Sequence, residues 1–279
     1  MKKRQAPQHR RRLRIAVGTP LTLIAAGGIA YGTVFGAFGD DAKPEASAAT
    51  AAVPDSAMAA VSAMQPGWNL GNTLDAIPDE TSWGRPRTTK ALLDSVRAQG
   101  FKSIRIPVTW SDHQGAAPNY TIDPAYLSRV SQVVDWAIDE GFYVVLDVHH
   151  DSWQWTSKMA TEHDKVLARF NTTWTQPAAA FRNESAKLVF ESINEPQLDN
   201  ADNARKAELL NEPNTSFHKV VRASGGNNSK RLFMLPTEVC TPDQRLMGNL
   251  ATTIKSLHDP RLIATVHYYG YFPFSVSMA

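Results

Sequence analysis

Residues 188–196 read LVFESINEP, an apolar run that ends abruptly in Asn194, Glu195 and Pro196. Aliphatic and aromatic residues with little alternation are typical of a strand that is buried on both faces, as in parallel sheets. Pro196 disfavours helical backbone at the residue before it, so Glu195 is expected to stay extended. The stretch therefore predicts a buried parallel strand that holds a carboxylate at its C-terminal end.

The same three residues return as Asn211, Glu212 and Pro213. This second copy follows residues 204–210, ARKAELL, which have the composition of a helix. Pro213 is expected to interrupt that helix, because proline lacks the backbone N–H and clashes with the preceding turn. Glu212 is then a solvated carboxylate near a helix junction, and Glu195 is the candidate for chemistry.

Working outward from this strand, short apolar runs alternate with helical patterns from about residue 67 to residue 266. Strands are expected at residues 67–71, 103–108, 143–148, 188–193, 231–235 and 262–266. Helices are expected at residues 88–99, 123–140, 162–182 and 248–257, and on both sides of Pro213. Regular βα repetition in 279 residues predicts an α/β fold, either a barrel or a doubly wound sheet. The first strand is not followed by a glycine-rich phosphate loop, which lowers the nucleotide-binding option.

Polar side chains appear where these predicted strands end. They are Arg105, then His149, His150 and Asp151, then Asn194 and Glu195, and finally His267, Tyr268 and Tyr269. Taken singly, each has a structural interpretation, since a buried arginine usually forms a salt bridge and a strand-end histidine is as often structural as functional. In a (β/α)8 barrel, however, the strand ends converge on one face, where active sites are built. Four such endings in one repeat pattern favour a functional site.

The charge distribution argues against a nucleic-acid partner. Seven of the 29 basic residues lie in the first fourteen positions, and the remaining 22 face 27 acidic residues. The body of the chain is therefore mildly acidic and has no basic stripe of the kind that binds polyanions.

The N-terminal region resembles an export signal. After the basic tip, residues 15–38 contain no charged residue, and small residues follow at positions 46–48. Residues 1–38 are interpreted as an export signal, with an uncleaved signal anchor as the alternative, because the apolar segment is long enough to span a bilayer. Residues 39–60 are expected to be an Ala/Ser-rich linker and residues 61–279 the catalytic domain, located outside the cell. The single Cys240 excludes an intrachain disulfide.

Six motifs in sequence order resemble the retaining glycoside hydrolases of family 5, of the endo-β-1,4-glucanase type. They are GWNLGNTLDA, TSWG, GFKSIRIPVTW, VVLDVHHD, ESINEP and ATVHYYG. The resemblance implies a (β/α)8 TIM barrel, of which the chain contains about the first six βα units. It implies an enzyme that cleaves internal β-1,4-glucosidic bonds of cellulose or related β-glucans. The N-terminal signal predicts secretion, and the enzyme is expected to be a monomer that needs neither cofactor nor metal. The resemblance assigns Glu195 as general acid/base and the following residues to the surroundings of the nucleophile and the sugar: Arg105, His149, Asn194, His267 and Tyr269.

Glycoside cleavage explains these residue types. A retaining enzyme needs one carboxylic acid to protonate the leaving oxygen and a second carboxylate, about 5–5.5 Å away, to act as nucleophile. Glu195 needs a raised pKa, which a neighbouring carboxylate would supply, and Asn194 can bond the sugar 2-hydroxyl. Trp136 is expected in the core. Five other tryptophans are candidate platforms for sugar rings: Trp68, Trp83, Trp110, Trp153 and Trp155.

The second carboxylate is not evident. The family's nucleophile is a glutamate at the end of the seventh strand, whereas no acidic residue follows Asp259. Glu191 and Glu238 do not match the family position. We expect the nucleophile to lie beyond residue 279 and the chain as given to be inactive, with Glu238 as the fallback. A non-catalytic carbohydrate-binding protein or pseudoenzyme is the alternative, and mannan or xyloglucan could replace cellulose as the substrate.

Overall fold

A computed structural model describes residues 56–269, in which strands and helices alternate. The six strands are β1 (Gly67–Asn69), β2 (Ser103–Ile106), β3 (Tyr143–Asp147), β4 (Leu188–Glu191), β5 (Phe233–Pro236) and β6 (Leu262–Thr265). The helices are α1 (Ala57–Ala63), α2 (Lys90–Ala98), α3 (Pro124–Asp139), α4 (Asp151–Gln154), α5 (His163–Ala180), α6 (Asn203–Ala223) and α7 (Gln244–Ser256). Short 3-10 turns lie at Ser111–His113, Thr156–Ala160, Gly226–Ser229 and Glu238–Cys240.

The six strands form one parallel sheet in the order β1-β2-β3-β4-β5-β6. In a doubly wound sheet the strand order reverses at a switch point, and no reversal occurs here. The sequential order is that of a (β/α)8 barrel over its first six βα units, which confirms the predicted fold class. Asp147 of β3 pairs in register with Glu191 of β4, so the polar ends of neighbouring strands lie at the same level.

Alternation along the strands divides the core into two clusters. One face of β2 and β3 contributes Ile104, Ile106, Val144 and Leu146 to the large cluster that also contains helix residues. The other face contributes Val145 to a smaller cluster that contains Ala60 and Met64 at the end of α1. The remaining members of that smaller cluster are Tyr143, Val189 and Leu232. Helix α1 therefore closes off apolar side chains on the face of the sheet away from the other helices.

Side-chain caps begin the main helices. Thr89, Asp123, Asp202 and Asp243 each accept a backbone N–H from the first turn of α2, α3, α6 and α7, respectively. Such caps satisfy N–H groups that have no partner within the helix. Helix α7 therefore begins four residues before the predicted start at residue 248, because Asp243 rather than Gly248 sets its start.

Helix α6 corrects the expectation that Pro213 would interrupt it. The helix runs without a break from Asn203 to Ala223, with Pro213 inside it. Leu209, Phe217 and Val221 are buried on either side of the proline. Burial of this apolar face outweighs the one lost backbone hydrogen bond, because helices in proteins are stabilised mainly by packing.

The described residues include the end of the expected N-terminal linker. Helix α1 begins at Ala57 and its Ala60 is fully buried, so the last four residues of the expected linker at 39–60 are helical. The expected export signal at residues 1–38 lies outside the described residues. Among residues 56–269, no helix combines the length and the apolar character that crossing a membrane requires.

Arg231, just before β5, is fully buried beneath the sheet. Its guanidinium donates to the carbonyl oxygens of Phe181, Glu184, Ser185 and Leu188, at 2.7–3.1 Å, and to Asn228 Oδ1 at 2.6 Å. Burial lowers the pKa of Arg231 to about 10, although Glu184 opposes that shift. All of these acceptors are neutral oxygens, so the charge is solvated by dipoles of the α5–β4 connection and of the Gly226–Ser229 turn.

Candidate active site

One cleft lies at the C-terminal ends of the strands. Its lining brings together all six predicted site residues: Arg105, His149, Asn194, Glu195, His267 and Tyr269. Asn69, His150 and Trp153 complete the lining. Among these lining residues, Glu195 carries the only carboxylate.

Glu195 follows β4 and is held in a left-handed conformation, with φ 38°. The expectation of extended backbone was wrong at this residue, although Pro196 does exclude the right-handed helical region. The backbone N–H of Glu195 donates to Cys240 Sγ at 3.3 Å, and that of Asn194 donates to the Val148 carbonyl at 2.9 Å. Contacts with the ends of β3 and β5 therefore fix the backbone from which the Glu195 side chain projects.

The Glu195 carboxylate is half-buried and bonded to a histidine. Its Oε1 lies 2.7 Å from His267 Nδ1, and Tyr269 forms a side-chain hydrogen bond to the same carboxylate. The bond from His267 lowers the pKa of Glu195, while burial acts in the opposite direction. The expected raised pKa is therefore not found with the groups that the structure describes. Burial, followed by the charge of Glu195, raises the pKa of Tyr269.

Arg105 of β2 connects the buried acids beneath the cleft. Its Nε and Nη2 donate to both oxygens of Glu191, at 2.7 and 3.2 Å. Nη2 also lies 2.5 Å from Asp147 Oδ2 and 3.0 Å from Asn194 Oδ1. These two carboxylates raise the pKa of Arg105 against the effect of burial. A planar guanidinium can serve two acids at once in this way, and it fixes the Asn194 amide beside Glu195.

Asp147 orients His149. Burial tends to raise the pKa of Asp147, but Arg105 and His149 outweigh it and hold the pKa below its usual value. Asp147 Oδ2 lies 2.8 Å from His149 Nδ1, while Oδ1 accepts the Val108 N–H at 3.0 Å. An ionised acid at Nδ1 keeps a proton on that nitrogen, so His149 Nε2, which lies 4.0 Å from Asp75 Oδ2, is the acceptor in the neutral ring.

Known proteins resemble this chain in both sequence and structure. The sequence pattern of the cellulase family, glycosyl hydrolase family 5, matches residues 69–279. Endoglucanase B of Paenibacillus lautus is 54% identical over 244 residues, which are 85% of this chain and 43% of that protein. The cellulase/esterase of Acetivibrio thermocellus is 37% identical over 229 residues, 80% of this chain and 28% of that protein.

The chain belongs to glycosyl hydrolase family 5.

Solved structures agree with this assignment. The tri-modular endo-β-1,4-glucanase B of Bacillus halodurans superposes with a TM-score of 0.77 at 47% identity, over 79% of this chain and 42% of that one. A broad-specificity endoglucanase of Clostridium acetobutylicum gives 0.74 at 36% identity, over 78% of this chain and 67% of that one. The chain thus spans less than half the length of the first curated relatives that it matches.

Aromatic side chains border the family 5 cleft on one side. The Trp153 indole N–H donates to His150 Nδ1 at 3.0 Å, and the Trp83 ring lies 5.1 Å from the His150 ring. Trp83 and Trp153 are 41% and 45% exposed, as a platform for a sugar ring requires. Trp110 and Trp155 are instead buried, with their indole N–H groups bonded to the Asp147 carbonyl and to Asp151, respectively, so the platform assignment was wrong for them.

Trp68 and Trp136 have intermediate exposure. Both are half-buried and packed against the main core, as expected for Trp136. Trp68 of β1 also lines a second opening, which contains Glu191 and His267.

Two of the acids set aside in the sequence, Glu212 and Glu238, lie away from the cleft. Glu212 points from α6 to His163, whose Nε2 contacts Glu212 Oε2, and it remains 40% exposed. Glu238, the fallback nucleophile, is paired with Lys206 Nζ at 2.6 Å. It lines a crevice between α6 and α7 rather than the cleft of Glu195.

Two groups of side chains have the composition of metal ligands. Asp75, His149 and His150 place ligand atoms within 4.8 Å of one another, as do Glu191, Cys240 and His267. In the first group, the Trp153 N–H occupies His150 Nδ1, which leaves the ring proton on Nε2, the atom that lies 3.5 Å from Asp75 Oδ2. A metal would have to displace that proton, so this donor set fits an ion poorly.

The second group fits no better. Both oxygens of Glu191 accept from Arg105, and burial raises the pKa of the Cys240 thiol to about 12. A metal ligand must be a thiolate, which this environment disfavours.

Several residues of the site were missed or left without a role. Asn69 and Asp75 lie in the first quoted motif, and the buried acid Glu191 within an apolar strand was a usable signal, since such acids are nearly always paired. Asp147 lies in the motif VVLDVHHD, two positions before His149, and no role was predicted for it. Nothing in the sequence indicates that Cys240 contacts Glu195, because they are 45 positions apart.

Proposed function

We propose that this family 5 chain is part of an enzyme that hydrolyses internal β-1,4-glucosidic bonds of cellulose or related β-glucans. The observation that carries the proposal is the position of Glu195, a half-buried carboxylate bonded to His267 and Tyr269 and the only acid among the residues that line the cleft. The endoglucanase names of the relatives support the same activity.

In the proposed mechanism, Glu195 donates a proton to the leaving glycosidic oxygen and then removes a proton from the attacking water. Asn194 reaches the cleft beside it, with its Oδ1 fixed by Arg105, which leaves its amide N–H groups free to bond a sugar hydroxyl. His149 lines the same cleft, held through Nδ1 by Asp147. Trp83 and Trp153 provide apolar surface for a neighbouring sugar ring.

We propose that the nucleophile is a carboxylate from outside residues 56–269. Among the described acids near Glu195, Glu191 and Asp147 are held by Arg105, and neither is free to attack a sugar. A second ionised carboxylate near 5–5.5 Å would also raise the pKa of Glu195, reversing the effect of His267 and keeping the acid protonated. The nucleophile would thus keep Glu195 protonated and able to act as the general acid.

The test uses the complete reading frame that contains this chain, assayed on carboxymethylcellulose, xyloglucan and mannan. Endo-cleavage predicts that viscosity falls before many reducing ends form, and that proton NMR detects the β-anomer first. Of the three polymers, we expect the soluble cellulose to be cleaved fastest. Binding without cleavage, measured by affinity electrophoresis, would instead establish the carbohydrate-binding alternative.

A matched assay of the 279-residue chain tests the origin of the nucleophile. We expect activity only in the complete product. Comparable activity in both would show that an acid of this chain serves as nucleophile, with Glu238 the first to be replaced by glutamine.

We also propose that the protein is exported and acts outside the cell as a monomer. The basic tip followed by the uncharged residues 15–38 supports export. The mass and N-terminal sequence of the protein recovered from culture medium test it. Recovery in the membrane fraction with an intact N-terminus would support the signal-anchor alternative.

A further inference from the structure

The turn after β5 has an unusual backbone. Val239 and Cys240 both have left-handed dihedrals, with φ values of 44° and 53°. Left-handed backbone is uncommon outside glycine and is an outlier for a β-branched residue such as valine. Strained residues of this kind persist where the surroundings over-determine them, and they cluster at functional sites. We call residues 237–241 the β5 turn.

The strained conformation directs two groups of the β5 turn toward the loop that carries Glu195 and a third toward His267. The Val239 N–H donates to the Pro196 carbonyl at 3.0 Å. Cys240 Sγ accepts the Glu195 N–H at 3.3 Å, and the Cys240 carbonyl accepts the His267 N–H at 2.7 Å. One short segment therefore holds the backbone of the acid, of the residue after it and of its histidine partner.

The β5 turn is held by hydrogen bonds within it and by one ion pair to α6. Thr237 Oγ1 donates to the Thr241 carbonyl at 2.7 Å, and the Cys240 N–H donates to the Thr237 carbonyl at 3.0 Å. Glu238 is held by Lys206 of α6. Cys240 is fully buried, so its thiol meets neither solvent nor substrate.

We propose that the β5 turn is a positioning element, in which Cys240 holds Glu195 in bonding contact with His267. The proposal rests on the proposed role of Glu195 as acid/base. Cys240 touches no reacting atom, so it is a positioning residue rather than a catalytic one. The pairing of Glu238 with Lys206 then acts as the anchor of this turn.

A sulfur atom suits the position. The Glu195 N–H is turned inward by its left-handed backbone and would otherwise be a buried donor without a partner. Alanine would remove the acceptor and leave a space. Serine would keep an acceptor but on a shorter bond, so contact with the N–H would require the backbone to move.

The test measures the titration of the Glu195 side-chain carboxyl by carbon-13 NMR, with Glu195→Gln used to assign the signal. Cys240→Ala and Cys240→Ser are compared with the unchanged chain. Val221→Ala, an equally buried truncation in α6, controls for general loss of stability. The charged or titratable groups that face Glu195 are Arg105, His149, Cys240, His267 and Tyr269, together with Glu191 beyond Cys240.

In Cys240→Ala, we expect the Glu195 pKa to rise toward that of an ordinary glutamate, by about half a pH unit or more, as the His267 bond loosens. Cys240→Ser should lie between this value and that of the unchanged chain, and Val221→Ala should not differ from the unchanged chain. In the complete reading frame, kcat should fall roughly 10–100-fold in Cys240→Ala while KM stays within about twofold, since misplacement of a catalytic group acts mainly on kcat.

Unchanged titration of Glu195 in Cys240→Ala would overturn the proposal. If that variant does not fold, Cys240→Ser decides the question, and a titration equal to that of the unchanged chain would again overturn it. A shifted Glu195 titration in a protein without glucanase activity would leave the positioning role standing while the proposed function fails. Glucanase activity together with an unshifted Glu195 titration in the Cys240 variants would support the proposed function and overturn the positioning role.

Discussion

Asn194-Glu195-Pro196 and Asn211-Glu212-Pro213 carry the same side chains on different backbones. The first copy follows β4, has its glutamate in a left-handed conformation and faces the cleft. The second lies within α6, where Glu212 meets His163 at the surface. Both glutamates contact a histidine, yet only Glu195 stands beside a partly buried arginine that pairs with two further acids. Environment, more than local sequence, separates the two copies.

The largest expected effect concerns activity. In the complete reading frame, Glu195→Gln should lower kcat/KM on soluble β-glucan by about 1000-fold or more, because the general acid is lost. Glu212→Gln should stay within about twofold of the unchanged enzyme, since its side chain does not reach the cleft. An aryl glycoside with a good leaving group should be spared in the first step of Glu195→Gln. Equal losses in the two variants would contradict the distinction drawn here.

The second effect concerns Arg105, which bonds Asn194 of the first copy. Arg105→Met should destabilise the protein by about 3–5 kcal/mol, because it leaves Glu191 as a buried charge without its partner and Asp147 with only His149 and the Val108 N–H. Denaturant unfolding measures this effect, with Arg205→Met as a control because Arg205 forms only an exposed pair with Glu208. A loss below about 1 kcal/mol would mean that the two acids are neutral in the folded protein.

A third comparison replaces the two prolines. Pro213→Ala should raise stability by about 1 kcal/mol, because it restores a backbone N–H inside α6. Pro196→Ala should lower it by about the same amount, since Pro196 is buried and its ring restricts the backbone beside Glu195. Thermal melting of the two variants should therefore shift in opposite directions. Shifts of the same sign would show that the surrounding packing, rather than the helix or loop context, controls both sites.

The smallest effect belongs to the surface pair. Hydrogen bonds that His163 donates to Asp164 and to Glu212 raise the pKa of its imidazole. A raised folded pKa stabilises the protein below the unfolded value near 6.5, and this contribution is lost as the pH rises through the folded pKa. His163→Gln should therefore cost less than about 0.5 kcal/mol at pH 5 and nothing at pH 9. Equal costs at both pH values would indicate a packing role instead.

The sequence predicted some of these features well because the deciding signals are local. Short apolar runs predicted all six strands, and the resemblance to family 5 selected the six predicted side chains of the cleft from the polar residues at the strand ends. The predicted break at Pro213 was wrong because the sequence shows the local cost of a proline in a helix. It does not show the tertiary packing that buries Leu209 and Phe217 and offsets that cost. The contacts of Asp75 and Cys240 were beyond reach for the same reason: they join residues that only the folded sheet brings together.

The lowered pKa of Glu195 shows a further limit. Sequence motifs assign an acid, but the protonation state depends on which charged groups the fold places around it. His267 favours the ionised carboxylate, and the proposed nucleophile would favour the protonated one. Their balance is a property of the assembled site.

The buried guanidinium of Arg231 has a consequence for folding. Its acceptors lie on two segments more than thirty residues apart, the α5–β4 connection at Phe181 to Leu188 and the turn at Asn228. A chain in which β5 docked on β4 with a shifted register would bury the same positive charge without these oxygens, at a high free-energy cost. The observed pairing of β5 with β4 brings these oxygens to the guanidinium. The enclosed charge of Arg231 therefore disfavours any pairing of β5 with β4 in a shifted register.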